Sequence, residues 1–184
     1  DEFGFTRWGA AIVRIAEPID ARMPNKEAPR ARSLARNGGV TLSFDGRQVT
    51  AHVHRAGQAS IAHLEFAAMP TATAAAIRTH LDSRSEPDDA VFEAVRASGA
   101  APAPVLEAAD CSCKARNDRC VHILAALYTL AAHVDHHPVA ALELQAYGTG
   151  DGSEAPGTDT GPAPRWIPIT RLDVRDYFVP RSGN

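Results

Sequence analysis

Apolar positions change their period along this chain, and the changes mark out its elements. Over residues 6–18, Trp8, Ala11, Ile12 and Ile15 recur at helical spacing. Thr6 is placed to cap the start with its hydroxyl, and Pro18 ends the run because it cannot continue the hydrogen-bond ladder. Residues 20–37 break the pattern. They hold two prolines among many cations and read as a basic loop.

The period then falls to two. Val40, Leu42 and Phe44 alternate with Thr41 and Ser43, and Asp45-Gly46 follows as a tight-turn signal. Val49, Ala51 and Val53 alternate with Thr50, His52 and His54. A third run, 60–66, sets Ile61, His63 and Glu65 against Ala62, Leu64 and Phe66, a weaker two-faced pattern. The three runs predict a small antiparallel meander.

Helical spacing returns in two segments, 71–84 and 87–98. Thr71 or Thr73 is a candidate cap for the first, and Pro87 with Asp88 suits the start of the second. A Gly/Ala/Pro connector covers 99–104. The strongest helix is predicted over 119–134, where Ile123, Leu124, Leu127, Tyr128, Leu130, Ala131 and Val134 form a broad apolar stripe. A further helical piece is expected within 138–147. Residues 148–164 are rich in Gly, Ser, Asp and Pro, which cannot pack a core, and read as a flexible linker. The tail, 165–184, regains Trp166, Ile167, Ile169, Leu172, Tyr177 and Phe178 and reads as a docking segment.

Composition changes this picture in three ways. Hydrophobic residues make up 45% of the 184, enough for a real core. The formal charge of −3 and pI near 6.2 exclude a polycation, so overall charge gives no argument for nucleic acid. The three cysteines are too few, and odd in number, for a secreted disulfide scaffold. The opening Asp1-Glu2-Phe3-Gly4 lacks the charged and apolar regions of a signal peptide, and the longest apolar stretch, 123–132, is too short to span a bilayer. A cytoplasmic protein without a membrane partner is expected.

All three cysteines fall within ten residues. Cys111, Cys113 and Cys120 are followed by His122, giving C-x-C-x6-C-x-H. Three thiolates and an imidazole complete a tetrahedral zinc shell. Cys120 and His122 open the strongest helix, whose positive end favours a thiolate. Four protein ligands leave no open position for water or substrate, so one structural Zn2+ is expected rather than a catalytic one. Its removal is expected to unfold the region around 105–135.

This spacing resembles the SWIM zinc finger, in which C-x-C, a variable loop and C-x-H lead into a helix. Phe3-Gly4-Phe5-Thr6-Arg7-Trp8-Gly9, Arg32-Ser33-Leu34-Ala35-Arg36-Asn37-Gly38-Gly39-Val40 and Val49-Thr50-Ala51-His52-Val53 extend the resemblance to bacterial SWIM-finger proteins over roughly residues 3–147. Where those relatives carry Pro-Asp-Trp after the second cysteine, this chain has Lys114-Ala115-Arg116. The resemblance implies an association with helicase-like ATPases of the Swi/Snf type, hence a DNA-linked or protein-adaptor role and a possible nucleoid location.

The expected fold class is α+β. A small antiparallel sheet with helices (1–104) leads to the zinc finger and its helix (105–147), then the linker (148–164) and the tail (165–184). No nucleophile–base motif, phosphate-binding loop or paired carboxylate motif accompanies it, so an enzyme is not expected. Two basic groups are candidate contacts for nucleic acid or an acidic partner surface: Arg22, Lys26, Arg30, Arg32 and Arg36, and Lys114, Arg116 and Arg119 around the finger. For both groups the plain alternative is a solvated charged loop. The leading functional expectation is a non-catalytic adaptor that docks on a DNA-translocating ATPase or another nucleic-acid machine. The alternative is direct nucleic-acid binding through the basic loops.

Overall fold

The computed structural model describes residues 2–19, 23, 25–55, 57–81, 86–113 and 119–148. Its first helix, α1 (Arg7–Ala16), begins where the cap was expected: the Thr6 hydroxyl accepts from the Gly9 N–H at 2.9 Å. The segment read as a basic loop contains a second helix instead, α2 (Ala28–Arg36). Proline is harmless in a first turn, where its missing N–H has no acceptor, and Pro29 stands there. Ala28 and Ala31 are the buried positions of α2. Such small side chains give a weak apolar signal, and the cations between them hide it.

Four strands follow an antiparallel plan: β1 (Val40–Asp45), β2 (Gln48–Arg55), β3 (Gln58–Phe66) and β4 (Leu106–Cys111), in the order β1-β2-β3-β4. The meander was expected; β4 was not. Two helices, α3 (Thr71–His80) and α4 (Asp89–Ala97), lie between β3 and β4 in the chain. Neither threonine caps α3. Pro70 stands at its N-cap without a side-chain hydrogen bond, and Thr73 is buried inside the helix. Asp88 caps α4 by accepting from the Val91 N–H at 2.9 Å, and the neighbouring Asp89 accepts from the Arg7 N–H at 2.7 Å, joining the starts of α4 and α1.

Inward positions of the sheet, among them Val49, Ala51, Val53, Ala62, Leu64 and Phe66, face the helices and are buried. The core element is α5 (Val121–His136), which packs against α1, α2 and all four strands. A helix apolar over most of its circumference needs such enclosure. A short α6 (Val139–Glu143) follows, and Gln145 behind it donates to the carbonyls of Pro102 (3.1 Å) and Ala141 (2.9 Å). No helix among the described residues is long and apolar enough to cross a membrane.

The N-terminal segment is tied to the far end of α5. Asp135 is buried, and its carboxylate accepts from Gly4 N–H (2.6 Å), Thr6 N–H (2.9 Å) and the Thr6 hydroxyl (2.8 Å). Trp8 is fully buried, donates from Nε1 to the Asp88 carbonyl at 3.1 Å and meets Phe92 edge-on at 4.9 Å. These elements all belong to one unit, Asp1–Asp151. The tail 165–184, and the linker apart from Gly148, lie outside the described residues.

Candidate metal centre

Two elements converge on the cysteine cluster. Strand β4 ends at Cys111, and the chain then bends through Ser112 to Cys113. The bend is pinned to the sheet from both sides: Ser112 N–H donates to the Ile61 carbonyl at 2.9 Å, and the Ser112 hydroxyl accepts from Ile61 N–H at 2.9 Å. Cys120 occupies the N-cap of α5 in an extended conformation, and His122 lies in the first turn. The sheet therefore presents two ligands and the core helix the other two.

The ligand atoms of Cys111, Cys113, Cys120 and His122 all lie within 4.8 Å of one another. Zn–S bonds of about 2.3 Å at tetrahedral angles put neighbouring sulfurs about 3.8 Å apart. The Cys111 sulfur lies 3.7 Å from Nδ1 of His122, so this nitrogen faces the cluster. Among the described residues no other group of three or more His, Cys, Asp or Glu has metal-site geometry.

The electrostatics of the cluster match its chemistry. Burial pushes the Cys111 thiol up to about 12, and the thiols of Cys113 and Cys120 contribute to the shift. Burial also raises Cys120, opposed by the backbone N–H groups of Ile123 and His122 at the helix start. The His122 imidazole is held below its ordinary value by burial and then by the nearby Arg30 charge, which favours the neutral, ligating form. Bringing three thiolates together in a half-buried pocket is costly without a cation; a dication reverses that cost and displaces the protons. The residues fit one structural Zn2+, and the bound ion would cross-link the sheet end to the core helix.

The basic candidates fare differently. Arg32 pairs with Glu17 and stacks over the Tyr128 ring, 5.3 Å from its centroid. Arg36 makes a two-pronged contact with Glu2, and Arg30 pairs with Glu27 at 3.7 Å. Arg119 donates from Nη1 to the carbonyls of Ile15 (2.9 Å) and Ala16 (3.5 Å), closing the C-terminal end of α1. Lys26 is exposed. Arg22, Lys114 and Arg116 lie outside the described residues. Sequence reading missed Ser112, which fixes the bend between two ligands, and Glu17, which joins Arg32 to Tyr128. Neither carries a local signal, because each acts through a partner distant in sequence.

Comparison with curated proteins and with solved structures gives no match. Comparison with family models matches residues 95–131 to the SWIM zinc finger. The matched stretch runs from the end of α4 through β4 and the four ligands into α5. Residues 95–131 are thus similar to the SWIM zinc finger, and Cys111, Cys113, Cys120 and His122 are placed to hold one structural zinc ion.

Proposed function

We propose that the chain is a non-catalytic interaction module that docks on a partner protein, and that the partner is a DNA-translocating ATPase of the Swi/Snf type. The observation that carries the first half is the closed ligand set. Four protein ligands convert the metal into a cross-link and leave no coordination position for substrate. The second half rests on the resemblance to bacterial SWIM-finger proteins and places the protein in the bacterial cytoplasm, at the nucleoid when its partner is there.

Direct nucleic-acid binding draws less support. Phosphate contact needs cations free to release counterions. Arg30, Arg32 and Arg36 already have carboxylate partners within the fold.

The test is co-purification from the native host, comparing wild type with His122→Ala and treating half of each sample with nuclease. The expected result is a helicase-type ATPase retained after nuclease and lost from the variant together with its zinc. Partners that vanish on nuclease treatment, with nucleic acid itself retained, would make direct DNA or RNA binding the better account.

A further inference from the structure

Strand β4 is an edge of the sheet, with no strand on its far side among the described residues. Its hydrogen-bonding directions follow from two bonds. Ser112 N–H reaches the Ile61 carbonyl on one side of β3, and Phe66 N–H reaches the Arg47 carbonyl on the other. Carried through the register Leu64↔Ala109 and Ala62↔Cys111, the alternation turns the N–H and C=O of Ala109 and Cys111 away from β3. Among the described residues these groups have no main-chain partner, and a row of this kind is a template for another strand.

Beside that row lies a groove of about 400 Å3, lined by Ile15, Leu106, Ala109, Ile123 and Leu127, with Arg119 at its margin. One wall is β4 and the other is α5. The zinc ligands join these walls, since Cys111 ends β4 while Cys120 and His122 begin α5. A bound zinc ion would thus fix the width of the groove at that end. Its charge is one-sided. Glu107, also on the lining, is paired with Arg47 at 3.2 Å. Arg119 faces only carbonyls and has no carboxylate partner among the described residues.

We propose that this groove receives an extended segment of a partner protein, added to the sheet as a fifth strand beside β4. Main-chain bonds to Ala109 and Cys111 would hold it, apolar side chains at alternate positions would enter between Ile15 and Leu127, and a carboxylate would meet Arg119. Two features select this occupant over an amphipathic helix. The exposed row offers main-chain donors and acceptors, which a helix has already used internally, and strand addition draws specificity from alternate side chains entering a groove. The proposal deepens the interaction-module reading and rests on it.

The test uses the full zinc-loaded chain, panned against a phage-displayed library of random twelve-residue peptides. Enriched peptides are then titrated against wild type, Ala109→Pro and Ile15→Glu. Proline at 109 removes an N–H that points away from β3, so the existing ladder is retained. Zinc content and the near-ultraviolet spectrum check that each variant is folded, and Ile15→Glu decides the matter if Ala109→Pro does not fold. The expected result is enrichment of peptides with alternating apolar residues and an Asp or Glu. Each variant should weaken their binding by about tenfold or more, and the Ala109 amide should exchange more slowly in the complex. Enriched peptides that bind both variants as tightly as wild type would overturn the groove while leaving the interaction module standing. An Ala109 amide whose protection depends on chain concentration alone would also overturn it, in favour of a second copy. A library that yields no binder overturns the groove; retention of the ATPase in the nuclease experiment separately decides the broader reading.

Discussion

Asp135 is a carboxylate buried near the end of α5, sustained by three donors from Gly4 and Thr6. Gly9 makes room for it. A Cβ at Gly9 would lie 2.0 Å from Oδ1 of Asp135, and that oxygen cannot swing away without losing its bonds to Thr6. Gly9→Ala would gain about 1 kcal/mol of helix propensity. Against this stand an overpacking cost of about 1–3 kcal/mol and the loss of charged hydrogen bonds of about 1.5–3 kcal/mol each. We expect net destabilisation of at least about 3 kcal/mol, read as a lower urea midpoint at unchanged slope. A variant as stable as wild type would show that the carboxylate is not held as described.

Tyr128 offers a second test at this scale. Its phenol is buried and donates to Glu17; burial first, then Glu17, raises it to about 12, with Arg32 opposing. A tyrosine whose folded pKa lies above its ordinary 10 holds its proton more tightly when folded. The associated stability is complete below about pH 10 and is lost as pH rises from 10 through 12. Ultraviolet titration should show a phenol ionising late, and Tyr128→Phe should remove that step and flatten the alkaline decline in stability. Phenols that all titrate near 10 in the folded protein would contradict this.

Among the elements, the finger was legible because its chemistry is written in residue types: three cysteines and a histidine at short spacing leave few readings. The N-terminal helix, the first two strands of the meander and α5 were legible because their apolar periods are strong, while the third strand showed only a weaker two-faced pattern. Two elements were not. In α2 the buried positions are alanines, and what holds it is packing against α5, a partner about ninety residues away in the chain. In β4 the alternation is broken by a bulge opposite Glu65 and Phe66, and the inward residue Ala109 is small. Both are set by tertiary contact and not by local pattern. The joining of β4 to β3 changes the consequence of losing zinc. Most of α5 is buried against α1 and α2, contacts that need no metal. We therefore expect chelation to release the end of β4 and the first turn of α5 while the middle of α5 stays folded, a narrower effect than unfolding of 105–135. Hydrogen exchange after chelation should rise around 109–113 and 119–124 and stay slow at 126–134. Uniform loss of protection along α5 would mean that the metal supports the whole core.

For the whole molecule, the distribution of charge separates the two functional readings. The net charge is −3, and the carboxylates of Glu2, Glu17 and Glu27 neutralise Arg36, Arg32 and Arg30. Freeing these arginines for phosphate would break contacts that tie the N-terminal segment and α1 to α2. Counterion release makes the cost measurable, because each phosphate neutralised adds about 0.9 to the slope of log affinity against log salt. If Arg22, Lys26, Arg30, Arg32, Arg36, Lys114, Arg116 and Arg119 all touched duplex DNA, the slope would be about −7. If Arg30, Arg32 and Arg36 keep their internal carboxylates, it is no steeper than about −4.5, and binding at physiological salt falls at or below the weak end of non-specific affinity, about 10⁻⁴ M. We expect the shallow slope, with Arg32→Ala lowering stability through the loss of Glu17 and Tyr128 while leaving DNA affinity unchanged. A steep slope that Arg32→Ala reduces by about one would mean that the arginines exchange their internal carboxylates for phosphates, and the chain would then be a nucleic-acid binder whose ion pairs are its resting state.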